Sequence, residues 1–195
     1  MKNQILSLFL IVLSFSLFAQ SKNYMEVNID LSAPQTKAYF YNNTDNSINN
    51  VNLDEQGWLL NNYGINFSYN YRIVQRLSIG TITGVYSDSK QKFSHIRLGG
   101  LVRYFYVKDK SYNFNVKLGK NISFDKDKFN NGVNFKIGLG FPIYKIKRNK
   151  QMLVDLFWEQ NYYELDGSNK LIGLNDEIPR TLTVHSYGLS LSFTF

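Results

Sequence analysis

Nucleophilic chemistry has one candidate in this chain, His185 followed directly by Ser186. A hydrolase built on such a pair needs the imidazole within hydrogen-bond reach of the hydroxyl, and an acid to orient the ring. The run around the pair alternates apolar and polar residues, so it reads as a strand, in which sequence neighbours face opposite sides. No acid is placed to orient His185, and no catalytic residue is expected. The second histidine, His95, shares the polar parity of its own run with Arg97. Asp125-Lys-Asp127 followed by Asn130-Asn-Gly132 begins like a calcium loop, but the glycine spacing is wrong and no Glu closes it. Gly138-Leu-Gly140 lies inside an alternating run, where glycines make room for neighbouring side chains and do not cradle phosphate. The chain has no Cys, which removes disulfides, thiolate metal sites and acylation at cysteine. Neither a metal nor a cofactor is expected.

What remains is electrostatic. Eight charges sit on the polar parity of alternating runs: Glu26, Asp30, Asp155 and Glu159 against Arg97, Arg103, Lys117 and Lys136. In one closed sheet, four acids would meet four bases in the interior. A buried charge without a partner costs several kcal/mol, so a salt-bridged network plugging a narrow lumen is predicted. The other reading is a transverse field across a conducting pore. A lumen of eight strands is too tight for that unless water fills it.

Eight runs could supply the walls. Period-2 alternation recurs over residues 22–31, 58–71, 76–86, 93–106, 112–119, 129–143, 151–163 and from 181 to the end. One parity is apolar and often aromatic, as in Tyr63, Ile65, Phe67, Tyr69 and Tyr71. The other is small or polar, as in Gly64, Asn66, Ser68 and Asn70. Most runs reach the ~9–11 residues that a strand needs to cross a bilayer. Connections at 72–75, 107–111 and 144–150 are short, those at 87–92 and 120–128 intermediate, and those at 32–57 and 164–180 long. Tyr39-Phe-Tyr41 in the first long loop extends the first strand upward. A mean hydropathy of -0.28 looks soluble, which is expected of a barrel that exposes apolar groups on one side of each strand only.

The last run is the most informative. Tyr187, Leu189, Leu191, Phe193 and Phe195 share one face, and Gly188, Ser190, Ser192 and Thr194 the other. A strand of this kind closing on Phe resembles the terminal assembly signal of bacterial outer-membrane barrels. The whole pattern over residues 22–195 resembles the small outer-membrane-protein β-barrel family. The resemblance implies an all-β fold, an eight-stranded antiparallel up-and-down transmembrane barrel. It also implies recognition of the terminal row by the barrel assembly machinery, short periplasmic turns and longer outer loops. Tyr69, Tyr71, Tyr104, Tyr106, Tyr112, Phe141, Phe193 and Phe195 then form a girdle at the periplasmic interface. Lys2, the apolar stretch Ile5 to Leu17 and Ala19-Gln20-Ser21 read as a cleaved secretory signal peptide over 1–19, leaving 20–195 as the barrel domain.

Charge is divided between the rims. The short turns carry Arg72, Arg76, Lys108, Lys110, Lys145, Lys147, Arg148 and Lys150 against Asp109, while the outer loops sum to -2. A basic, aromatic chain invites a nucleic-acid reading, which an export signal excludes. Leu165, Leu171, Ile172, Leu174 and Ile178 pack the last long loop onto the barrel mouth; a docking surface is the alternative. The function expected is that of an integral outer-membrane protein with a structural or surface-interaction role. Its partners would be outer-membrane lipid and, during biogenesis, the assembly machinery. The alternatives are a small-solute or ion channel, a lipid-modifying barrel enzyme (one family of lipid A deacylases places His and Ser on a barrel wall), and a component of an envelope export machine.

Overall fold

Alternation at period 2 gives each strand one apolar and one polar face, and a sheet that closes on itself sorts the two. In the computed structural model this happens. The structure describes residues 23–45, 47–53, 60, 62–89, 93–107, 112–124, 129–147, 150–165 and 170–195. Residues 1–19, read above as a signal peptide, and Trp58, Lys108, Lys110, Arg148 and Asp125-Lys-Asp127 lie outside these. The strands are β1 (Asn23–Asn42), β2 (Ile48–Asn52), β3 (Asn62–Val74), β4 (Leu77–Asp88), β5 (Phe93–Phe105), β6 (Asn113–Ser123), β7 (Phe129–Lys147), β8 (Lys150–Leu165) and β9 (Ile178–Thr194).

Eight of them, β1 and β3 to β9, form an antiparallel meander in which each strand pairs with the next, and β9 pairs back onto β1. Closure continues past β9, where Phe195 N–H donates to Met25 C=O at 2.9 Å and Met25 N–H to Phe195 C=O at 3.3 Å. A closed sheet leaves no edge of unpaired backbone groups. Ile29, Ile65, Val85, Leu98, Leu118, Val133, Leu139 and Leu189 point outward and are exposed, while the polar parity faces a lumen filled with side chains.

Three features depart from the expected outline. The register between β1 and β9 shifts between Pro34↔Ser186 and Thr36↔His185, so Gln35 is an extra residue. Such a bulge switches the inward parity: Ser32 points in below it, Lys37, Tyr39 and Tyr41 above it. Second, the first long loop contains a strand. β2 pairs with the upper part of β1, from Ala38↔Asn52 to Asn42↔Ile48, on the edge that β3 occupies up to Ser32. Its turn is set by Asp45, whose carboxylate accepts from Ser47 N–H at 2.9 Å and Ser47 Oγ at 2.7 Å. Third, the connection expected over 144–150 is a protruding hairpin. β7 and β8 continue to pair through Tyr144↔Met152 and Lys147↔Lys150. The neighbouring pairings end at Gly140↔Asn113 and Met152↔Phe193.

Candidate functional site: the ion-paired lumen and its capped mouth

All eight charges predicted to face the interior do so, and each is buried. Three acid–base pairs cross the lumen. Near the lower rim, Arg103 on β5 grips Glu26 on β1 with both terminal nitrogens, at 2.5 and 2.7 Å. Both side chains are 0% exposed. One level up, Lys136 Nζ on β7 donates to Asp30 on β1 at 2.7 Å. Higher still, Arg97 on β5 meets Glu159 on β8 at 3.3 Å, and also donates to Asn121 and Asn161 at 3.0 Å each. Two-pronged contacts of the Arg103 kind are the strongest in this class, because the planar fork matches a carboxylate. The remaining two charges do not pair directly. Asp155 accepts from Ser192 at 3.1 Å and Asn115 at 3.4 Å. Lys117 stands opposite Lys136 in the β6–β7 register.

Aromatic side chains fill what the charges leave, which the sequence reading did not anticipate. They fit because each lies flat against a glycine on the adjacent strand. Tyr86 faces Gly64, and a Cβ there would lie 2.2 Å from its ring. Phe157 faces Gly188, where a Cβ would lie 2.3 Å from the ring. Cations then stack on the same rings: Arg97 lies 3.8 Å from the Tyr86 centroid and Lys136 Nζ 3.4 Å from that of Phe157. Tyr86 OH also donates to Asp30 at 2.9 Å, joining two of the ion pairs. The signal that could have found these seats is hairpin register. Once the β3–β4 turn is fixed, Gly64 must fall opposite Tyr86.

The lower opening is covered by Arg72, whose guanidinium lies 5.3 Å from the Tyr24 ring and 5.5 Å from that of Phe105. The sequence placed Arg72 in an exposed turn, but its aliphatic stem and planar head cover these rings and leave it half-buried. The upper opening is filled by Tyr39, Tyr41, Phe93, Phe129, Tyr163, Leu165, Leu182 and Val184, with Leu171 packed against them. Thus Leu165 and Leu171 pack at the mouth, whereas Ile172, Leu174 and Ile178 are exposed. His95 stacks between Tyr86 and Phe93 just beneath. His185 lies on the outer face against Trp158, while Ser186 is buried on the inner one, so the two share no site.

The last long loop, before β9, is latched by one carboxylate. Glu177 accepts from Tyr39 OH at 2.5 Å, from the N–H groups of Leu171 and Ile172 at 2.7 and 3.2 Å, and from those of Gly173 and Leu174 at 2.8 and 3.0 Å. The wrap needs a left-handed residue, and Gly173 supplies it with φ 84°. Burial pushes the Glu177 carboxyl up. The hydrogen bonds from Tyr39 and the backbone amides outweigh it and hold the carboxyl below its ordinary 4.5. A lowered folded value means that the contribution to stability is complete above 4.5 and disappears as pH falls through the folded value. Exchange protection of the Leu171–Leu174 amides, corrected for intrinsic rates, should therefore persist at pH 6 and collapse in acid below 4.5. Glu177→Gln should lose it at both. Equal protection in the variant at pH 6 would remove Glu177 from this role.

Fold and lumen together define a class: a closed eight-stranded barrel, apolar outside, with a packed and ion-paired interior. No family model matches the chain, and no curated protein does. Among solved structures, the outer membrane protein OprG of Pseudomonas aeruginosa aligns with a TM-score of 0.51 at 8% identity, over 89% of this chain and 96% of that one. Outer membrane protein AlkL, solved in DMPC bilayers, gives 0.49 at 12% identity over 89% and 90%. The attachment invasion locus protein Ail of Yersinia pestis gives 0.43 at 13% identity over 89% and 99%. At 8% identity the likeness to OprG is one of fold. This chain has the fold of the small eight-stranded outer-membrane β-barrels.

Proposed function

We propose that the chain is an integral protein of the bacterial outer membrane with a structural or surface-interaction role. Its lumen is plugged by its own ion pairs and it catalyses no reaction. The observation that carries this reading is the set of three buried acid–base pairs spanning the lumen between filled openings. A conduit would need those side chains to part. The apolar outer wall supports immersion in lipid, and the opposed faces of His185 and Ser186 argue against a hydrolase. In planar bilayers the purified barrel should give no stable large conductance, while its gel mobility should shift on heating. Reproducible nanosiemens steps would overturn the plug in favour of the channel reading. Recovery as a soluble periplasmic protein would overturn the location.

The assembly machinery is the proposed partner of the outward row Tyr187, Leu189, Leu191, Phe193 and Phe195. Phe195 is held to Met25 through backbone groups alone, so Phe195→Ala keeps both bonds and removes only what a receptor would read. Outer-membrane yield should fall severalfold while stability of the refolded barrel hardly changes. Equal yields would show that the Phe side chain is not the signal.

A further inference from the structure

The β7–β8 hairpin does not stop where the barrel stops. Past Gly140 on one strand and Gln151 on the other, whose backbone still bonds the Thr194 hydroxyl, the two strands form ladder pairs only with each other. Register shifts between Pro142 and Tyr144 and between Lys145 and Lys147 interrupt this arm, and bulges bend and twist a ribbon. Its residues are of two kinds. Ile143 and Tyr144 are 57% and 62% exposed and lie past the last pairing of β7 with β6. Lys145 and Lys150 are exposed cations, and Lys147 stands directly opposite Lys150. Neither Lys145 nor Lys150 has a carboxylate partner among the described residues. The same rim carries exposed Arg76, while its described acids, Glu26 and Asp155, are turned into the lumen.

We propose that this arm lies on the periplasmic leaflet and binds the phosphate of anionic phospholipid headgroups. Ile143 and Tyr144 enter the interface and the lysines reach the phosphates. The inference rests on the outer-membrane placement above. One lipid surface meets both requirements, since it covers the apolar pair and places anions beside Lys145 and Lys150. Basic segments beside an anionic membrane surface are attracted by about fivefold per charge.

The test uses the folded barrel in phosphatidylcholine vesicles containing trace spin-labelled phosphatidylglycerol or phosphatidylcholine. The motionally restricted fraction reports relative association. Wild type should prefer phosphatidylglycerol by at least about threefold at low salt, falling towards unity for Lys145→Gln/Lys150→Gln. A second variant, Lys170→Gln/Arg180→Gln, removes the same charge from the opposite rim and should keep the preference. Absence of preference in wild type, its persistence in the arm variant, or equal loss in both variants would overturn the proposal. Failure of the wild type to enter vesicles at all would instead overturn the membrane placement on which it rests.

Discussion

Arg103→Met should destabilise the folded barrel by about 3–5 kcal/mol, the range for breaking a buried pair from one side. The cost lies less in the lost attraction than in the partner left behind. Glu26 is 0% exposed, and both of its oxygens accept from Arg103. With Arg103 gone, its carboxylate must stay charged without a counter-ion or take up a proton, and either is expensive away from water. The double variant Glu26→Gln/Arg103→Met removes both charges and should recover most of the loss, because a buried pair replaced by neutral groups of like volume is often nearly neutral. Arg97→Met should cost less than Arg103→Met, since Asn134 also donates to Glu159, at 3.3 Å, and Ser32 at 3.1 Å. Denaturant unfolding in lipid vesicles, followed by Trp fluorescence and heat-modified mobility, measures all four proteins. If the single and double variants lose the same stability, the pair is not coupled and the plug loses its main support.

Much of this was legible in the sequence, for a definite reason. Parity is a local property, and closure turns local parity into inside and outside. The alternation of Glu26, Asn28 and Asp30 with Val27 and Ile29 was enough to send those acids inward, and likewise Arg97, Arg103, Lys117 and Lys136. Which acid meets which base was not legible. Glu26 and Arg103 are 77 residues apart, and their meeting depends on strand tilt and register around half the barrel. The flip at Gln35 was hidden too, because one extra residue in a strand leaves no mark on composition. It decides that Tyr39 points at Glu177 rather than at lipid. β2 was missed because Asn49, Asn50 and Asn52 have poor strand propensity; pairing to β1 overrides it. The mouth latch was missed because one Glu in an Asn- and Gly-rich loop looks like any solvated acid until the chain wraps around it.

Aromatic seats and ion pairs are parts of a single packing solution. Gly64 admits Tyr86, Tyr86 supports Arg97 and donates to Asp30, and Asp30 holds Lys136 against Phe157, which Gly188 admits. Each link removes space that water or a solute would need. A lumen assembled this way gains its order from residues on seven of the eight barrel strands, so loss of one link should loosen levels above and below it.

The outer wall gives the most discriminating measurement, because there one substitution has opposite meanings in the two solvents. Leu189 lies in the outward-facing row of β9, opposite Leu31 on one side and Leu156 on the other, and is 48% exposed. On a water-bathed barrel, Leu189→Arg would change stability by no more than about 0.5 kcal/mol, as surface changes usually do. In a bilayer the same guanidinium must enter hydrocarbon near the midplane, at about 2–4 kcal/mol. Leu189→Met keeps the site apolar and of similar volume, so it should be close to neutral in either solvent and controls for perturbation of the seam. The expected result is a loss of about 2–4 kcal/mol for Leu189→Arg in vesicles, with Leu189→Met near zero. A loss smaller than 1 kcal/mol for Leu189→Arg would mean that the apolar wall does not face lipid at that depth, whatever the fold resembles.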